Sequence, residues 1–390
     1  MAGGGRVAVI GCGTMGTFAA WELAQSGAEV TVFERFGLGH EFGAYSGETR
    51  IYRRKYIEGP EYDELLAYSE DVWLKLDGES GGPLFTRTGV MSIGSETGHV
   101  ISSLVSSQAA LGFSPELQSA DELESRMAGI AIESDYVGIE DASGGLLRPE
   151  AILALMWQKL AAAGVSVREW TPVSSLRTAD DHVAVVLPDG SEETFEKVIV
   201  TVGAWSNDLL GGVIPRIDVQ RLAVHWYPVR PGYDMSTIPV AVIDRGFDFC
   251  VWPSIDGVSI KVGLNLGVDR PKDLASIDKT MPAELVRFVD SLIAENVPGA
   301  YPRAIRQAVQ LEGWNPDQRF TIGASTSSRR IVIGAGFSAH GFKMAPAVGK
   351  ALAELAVGES SQFDLSPFSP SRFAVNRTID EYVNGGFVRE

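Results

Sequence analysis

Three basic side chains and one acidic one stand out from their surroundings in this 390-residue chain. Arg53 lies in Gly47-Glu48-Thr49-Arg50-Ile51-Tyr52-Arg53-Arg54-Lys55-Tyr56, where positions 50–55 hold four basic residues. A guanidinium presents a planar pair of N–H donors that grips a carboxylate through two bonds. Arg53 is therefore a candidate carboxylate clamp, with Thr49 and Arg50 placed to support a nucleotide. The alternative is a solvated basic face. Lys261 interrupts Val258-Ser259-Ile260-Lys261-Val262, an apolar strand pattern. Burying an ammonium there is unfavourable unless its charge is used, although alternation can equally turn it to solvent. Lys343 follows a glycine-rich turn, and the lone carboxylate Glu34 closes the apolar run Val30-Thr31-Val32-Phe33.

Glu34 belongs with Gly11-Cys12-Gly13-Thr14-Met15-Gly16, a G-x-G-x-x-G that begins 23 residues before it. Gly11 permits a tight turn, Gly13 leaves room for a diphosphate, and Gly16 lets a helix pack closely on its strand. Free N–H groups at the helix start attract the anion. A carboxylate at Glu34 accepts hydrogen bonds from ribose hydroxyls and repels a 2′-phosphate, so NADP is disfavoured. The motif predicts a dinucleotide without separating FAD from NAD.

Those residues need particular elements to position them. Arg6–Ile10 reads as a strand buried on both faces, Met15–Gln25 as a helix stopped at Ser26-Gly27, and residues 30–33 as a second strand. Helical spacing is expected over 60–77, 97–112, 119–127, from Pro149 to Gly164, over 282–295, and from Pro346 to Gly358. Residues 85–93 are strand-like with a break at Gly89. Short strands are expected at 165–169, 173–178, 182–187 and 197–202, with a hairpin at Asp189-Gly190. Residues 220–265 alternate between short strands and Pro- or Gly-bearing turns, which predicts an antiparallel sheet unlike the parallel first part.

Composition excludes several classes. A formal charge of −17 opposes binding to nucleic acid or anionic membranes. No apolar run reaches bilayer-spanning length, and no signal peptide is read at the N-terminus. Cys12 and Cys250 alone predict a reducing, cytoplasmic setting without disulfides. His40, His99, His182, His225 and His340 are scattered, so no metal centre is expected; His225 reads as a core or surface histidine.

The glycine fingerprint, the Gly47-Glu48-Thr49-Arg50 block and Gly336-Phe337-Ser338-Ala339-His340-Gly341-Phe342-Lys343 together resemble the D-amino-acid-oxidase superfamily of flavoenzymes. Within it the chain is most similar to the monomeric sarcosine oxidase, N-methyltryptophan oxidase and pipecolate oxidase group. The resemblance implies an α/β fold with an α+β second domain. A Rossmann-like, three-layer FAD-binding domain would comprise residues 1–84, 146–218 and 321–390. A substrate domain with an antiparallel sheet would comprise 85–145 and 219–320. It further implies FAD, contacted by Gly11, Gly13, Thr14, Met15, Gly16, Glu34, Arg35, Ser46, Thr49, Arg50, Val173, Gly203, Trp205, Gly336, Phe337, His340, Gly341, Phe342 and Lys343. Lys261 would assist reaction with oxygen, and Arg53 and Lys343 would hold a substrate carboxylate.

The same resemblance implies oxidation of a secondary amino acid, N-methyl or cyclic, to an imine, with oxygen reduced to hydrogen peroxide by a monomeric enzyme. A dehydrogenase, a primary-amine-deaminating oxidase, a tailoring enzyme of secondary metabolism and a flavin-dependent RNA-modifying protein are the alternatives. Two departures alter the expected pocket. Asn265 stands where sarcosine oxidase has a histidine, and Cys250 where it has a tyrosine. Cys250 and Trp252 are the candidate substrate contacts, with Trp226 and Phe249 as further aromatic candidates. Gln310 stands where sarcosine oxidase carries the cysteine bonded to its flavin, which predicts non-covalent FAD.

Overall fold

In the computed structural model of the chain, residues 5–271, 273–274 and 277–373 are described. Two large sheets dominate. The first has six strands, in the order Thr321–Ala324, Ile331–Ala335, Lys197–Val200, Arg6–Ile10, Glu29–Phe33 and Ser166–Arg168. Its first two strands pair antiparallel and the rest are parallel.

Period-two alternation explains why this sheet carries two covers. Val7, Val9, Val30, Val32, Ile199 and Val332 turn to one side, where they join helices Thr14–Gln25, Asp63–Ser80, Pro149–Ala162 and Ala345–Val357. Ala8, Ile10, Phe33, Val198, Val200 and Ile333 turn to the other side, onto a three-stranded sheet. Its strands Ser175–Thr178, Val183–Val186 and Glu192–Phe195 are antiparallel. The result is a three-layer unit, and the hairpin after Val186 turns at Gly190, whose φ is +84°.

The second sheet has seven strands: Arg306–Trp314, Asp218–Pro228, Ser259–Asp269, Asp248–Trp252, Val240–Asp244, Val90–Gly94 and Val137–Asp141. It is antiparallel except where Val240–Asp244 meets Val90–Gly94 in parallel. Those two strands are far apart in sequence, and a long connection is what parallel pairing requires. Gly89, at φ +76°, breaks the 85–93 segment in two, so that Phe85–Thr86 joins a separate small sheet with Arg50–Tyr52 and Gly145–Leu147. That small sheet braces the segment carrying Arg50 and Arg53 against strands adjoining the second sheet. Phe363, Phe368 and Phe373 pack back as buried residues. Residues 374–390 of the expected C-terminal segment lie outside the described residues.

Candidate active site

A continuous cavity of about 430 Å³ runs between the two large sheets. The glycine loop forms one stretch of its wall through Gly11, Gly13, Thr14 and Met15. Gly11 has φ +93°, a conformation side chains resist. A Cβ on Gly16 would collide with the Gly11 carbonyl, whereas one on Gly13 would meet nothing within 4 Å. Gly16 therefore seats the helix on its strand, and Gly13 keeps the backbone open to the cavity. Glu34 accepts hydrogen bonds from the N–H groups of Cys12 (2.7 Å) and Phe36 (2.9 Å). Burial opposes its ionisation, but the bonds from His40, Phe36 and Cys12 outweigh it and lower its pKa. Arg35, Val173, Gly203 and Trp205 line the same end.

Arg50 pins the loop preceding it. Its guanidinium donates to the carbonyls of Ala44 (2.6 Å), Ser46 (2.5 Å) and Thr49 (2.8 Å) and to Gln310 Oε1 (2.7 Å). Gln310 in turn donates to the Ser46 carbonyl. Lys261 is 3% exposed, and its Nζ donates to the Thr49 carbonyl at 2.6 Å while lying 4.3 Å from the Trp252 ring centroid. Burial, reinforced by the charge of Arg50, pulls its pKa well down. The alternation thus directs Lys261 into the cavity and not to solvent.

Arg53 and Lys343 meet at one end of the cavity. Arg53 Nη2 lies 3.3 Å from each oxygen of Glu58. Its Nε and Nη1 are buried without a partner. Lys343 Nζ donates to the His340 carbonyl (3.0 Å) and to Tyr56 Oη (3.3 Å). His340 Nε2 faces the Gln318 carbonyl at 3.1 Å, which can only accept, so Nδ1 is the acceptor for the Tyr56 hydroxyl at 2.7 Å. His340 is neutral in this arrangement: burial pushes its pKa down to about 4. Burial likewise lowers Lys343 to about 8, against the opposing charge of Glu58. Burial works to raise Glu58, but Arg53 above all, with Lys343, outweighs it and holds it at about 2.

The loop carrying His340 is bent by three consecutive features. Gly336, Ser338 and Ala339 all have positive φ, of 61°, 49° and 63°. For the two non-glycine residues this is strained backbone, a state that gathers at ligand clamps. Phe337, Gly341 and Phe342 complete the cavity wall there. Phe342 stacks on Trp73, whose indole N–H donates to the Lys343 carbonyl at 2.8 Å.

The second sheet roofs the cavity. Asp248, Cys250 and Trp252 alternate along one strand and all face in. Cys250 stays a thiol, since burial pushes its pKa up to about 12. Glu312 adds a buried carboxyl, raised by burial to about 7 despite Arg50, the Ala339 N–H and Lys343.

Several expected contacts lie behind the wall. Gly16, Ser46 and Thr49 do not line the cavity; the first is packed under the glycine turn, and the carbonyls of the other two are taken by Arg50, Gln310 and Lys261. Trp226 shares the sheet face of Lys261 but lies outside the cavity wall, its indole donating to Glu48 at 2.5 Å, and Phe249 is in a hydrophobic core. Of those three aromatic candidates, Trp252 alone lines the cavity. His225 is fully buried with both ring nitrogens unpartnered, and burial lowers its pKa to about 4. Tyr56, Glu58, Asp248, Glu312 and Gln318 are additions that the sequence reading gave no role. The alternating Gln310 and Glu312 in a strand otherwise rich in apolar residues, and an acid just after the 50–55 basic run, are the signals that point to two of them.

Residues 6–355 match the family model described as DAO, FAD dependent oxidoreductase. The chain belongs to this family of FAD-dependent oxidoreductases. It is 29% identical to the monomeric sarcosine oxidase of Bacillus sp. (strain B-0618), over 96% of this chain and 98% of that one. It is 27% identical to the N-methyl-L-tryptophan oxidase of Escherichia coli O157:H7, over 94% and 98%. The solved structure of NikD, an unusual amino acid oxidase essential for nikkomycin biosynthesis, superposes with a TM-score of 0.80 at 23% identity, over 93% of this chain and 96% of that one.

FAD, the family's cofactor, fits the residues present. An open Gly13 backbone at a helix start suits a diphosphate, and the two hydrogen bonds that fix Glu34 hold it ionised at the cavity wall. A chain of wall residues then leads from Glu34 and Val173 past the glycine loop to Lys261 and Lys343. Among the described residues no helix is long and apolar enough to cross a membrane.

Proposed function

We propose that this flavoenzyme oxidises the C–N bond of a secondary amino acid, N-methyl or cyclic, to an imine, with oxygen as acceptor and hydrogen peroxide as product. The observation that carries the reading is Arg53, whose Nε and Nη1 are buried, unpartnered and on the wall of the same cavity as Lys343. Buried donors left without acceptors are costly, by about 1–3 kcal/mol each. A substrate carboxylate satisfies them in the bidentate manner that guanidinium favours. Lys343, tied to Tyr56 and the His340 carbonyl, adds a second positive charge held in place.

FAD supplies the two-electron acceptor. The protein's part is to orient and to desolvate. Arg53 and Lys343 fix the carboxylate and thereby the α-carbon, a proximity effect. Cys250 and Trp252 present a largely apolar stretch of roof that favours the neutral amine. Lys261 would supply a buried N–H donor, cationic once protonated, where negative charge develops during oxygen reduction. The loop 336–343 and the helix starting at Ala345 would hold the flavin end of FAD, where their backbone N–H groups and positive dipole end would stabilise negative charge. Gln310, bonded to Arg50 and Ser46, leaves FAD held without a covalent link.

The division into a discontinuous FAD domain and a substrate domain, a monomeric state and a cytoplasmic setting form part of the same proposal. The relatives named above support the amine-oxidising reading, since each is itself called an oxidase of an amino acid or N-methyl amino acid. The test is anaerobic mixing of the holoenzyme with N-methyl and cyclic amino acids beside the matching hydroxy acids. Bleaching of the flavin by the amines alone supports the proposal. Bleaching by hydroxy acids alone, or by none of the amines, refutes it.

A further inference from the structure

The carboxylates of the cavity wall are not equivalent. Glu34 is held by two backbone N–H groups, Glu58 by Arg53, Asp208 lies 4.0 Å from Arg35, and Glu312 is bonded by the Ala339 N–H. Asp248 forms no contact ion pair and accepts no backbone N–H, although the Arg53 guanidinium feels its charge from a longer distance. Its Oδ2 meets the Asn265 amide at 3.4 Å, and its Oδ1 is buried with no partner. The other unpartnered buried polar atoms on the described wall are donors, on Arg53, Trp252 and Trp314. Asp248 Oδ1 is thus the one unpartnered buried acceptor among the described wall residues, and a buried acceptor calls for a donor from the ligand.

Strand register says where that donor must be. Trp252 is paired with Lys261 and Cys250 with Gly263, two steps along the same face. Asn265 follows two residues beyond Gly263 and sits beside Asp248. The roof therefore offers, in order, a cation beside an aromatic ring, a narrow pair of small residues, and an acid beside an amide. At about 3.3 Å per strand residue, Asp248 lies about 7 Å beyond Cys250 and about 13 Å beyond Trp252. The Trp252 ring covers Gly263, so the open stretch of roof lies below Cys250. A side chain can lie there, reaching from the reacting centre toward Asp248.

We propose that Asp248, oriented by Asn265, binds a positively charged nitrogen on the side chain of the substrate. The preferred substrate is then a basic amino acid: a carboxylate at Arg53 and Lys343, a secondary amine at the reacting carbon, and a second ammonium or guanidinium several bonds away. This rests on the amine-oxidising reading for the carboxylate end of the molecule. An ion pair at a site partly shielded from water, with the acid already held by an amide, favours such a ligand over its uncharged isostere. Specificity follows equally from the other direction, because an apolar terminus leaves Oδ1 unsatisfied.

The test uses ligands that cannot be oxidised as amines, so its outcome is separate from turnover. Two alkylthioacetates of equal length, one ending in an ammonium and one in a methyl group, are titrated into the holoenzyme and followed by perturbation of flavin absorbance. The ammonium ligand is expected to bind about tenfold more tightly, the scale of one favourable charged contact. In Asp248→Asn, with FAD content checked, the ratio of the two dissociation constants should fall to near one; Asp248→Glu should retain part of the preference. A wild-type ratio near one, whether both ligands bind or neither does, overturns the inference. So does a preference that survives in Asp248→Asn. Flavin reduction by uncharged secondary amino acids, measured separately, reports on the preceding reading alone.

Discussion

Arg53 Nη2 faces Glu58 with 3.3 Å to each carboxylate oxygen, while the remaining nitrogens of the same guanidinium have no partner. A substrate carboxylate therefore arrives at an arginine that already has one anion beside it. The Glu58 side chain is 29% exposed, which leaves it room to move away. Removing its charge should free the clamp. Glu58→Gln is expected to tighten binding of an alkylthioacetate by about three- to tenfold, consistent with the modest strength of a partly exposed ion pair. Weaker binding in that variant, measured by flavin absorbance titration, would show that Glu58 supports the anion site and does not compete for it.

Lys343 makes the same site sensitive to pH. Burial lowers its pKa to about 8, so its charge is present below that pH and lost above it. Glu312, raised to about 7, becomes an anion over the neighbouring interval and adds repulsion in the same direction. Affinity for a carboxylate ligand without an amine should be flat at low pH, begin to fall near pH 7, and drop by about tenfold per unit above pH 8. In Lys343→Met the upper limb should vanish along with much of the affinity. An unchanged upper limb in that variant would assign the titration elsewhere.

Lys261 separates the two halves of the reaction. Its Nζ is held by the Thr49 carbonyl and lies over Trp252, at the cavity wall. Lys261→Met should slow reoxidation of the reduced flavin by oxygen by about 100-fold, the range seen when one electrostatic stabiliser is removed. Anaerobic reduction by substrate should change little. Stopped-flow traces measure both. Equal losses in the two half-reactions would mean that Lys261 organises the loop through Thr49 and has no separate part in oxygen chemistry.

Gln310 bears on how the cofactor is held. Its amide is committed to Arg50 and Ser46, and Cys250, the one cysteine that lines the cavity among the described residues, is kept as an unreactive thiol by burial. Acid precipitation is expected to release yellow FAD into the supernatant. Colour retained in the protein pellet would reveal a covalent bond.

Much of this architecture was legible in the sequence because its signals are local. Val7 to Ile10, the glycines that follow and Glu34 fall within one strand-turn-helix-strand unit, where period and punctuation suffice. Lys261 was legible as an anomaly, a charge in an apolar strand. The remaining site residues were not, because their meaning depends on pairings between distant segments. Register turns Phe249 to the opposite face from Trp252, while Trp226 shares the face of Lys261 and Trp252 yet is taken up by Glu48 and Arg306, so only Trp252 lines the cavity. Tyr56 acquires a role by meeting His340, 284 positions away. Ser46 and Thr49 fall in the right block yet contribute carbonyls to the layer behind the wall, a distinction that backbone direction decides. The parallel pairing of Val90–Gly94 with Val240–Asp244 has no local signature at all.

The central claim is that Arg53 orients an anionic substrate for oxidation at its amine. It is tested most directly by comparing Arg53→Met with the wild type in anaerobic flavin reduction. The paired substrates are an N-methyl amino acid and the corresponding amine lacking a carboxylate. Loss of the buried partner should weaken the acidic substrate by about 2–5 kcal/mol, a factor of 30 or more in half-saturation, and leave the uncharged amine within a few-fold. Equal losses for both substrates, with FAD content preserved, would contradict the account.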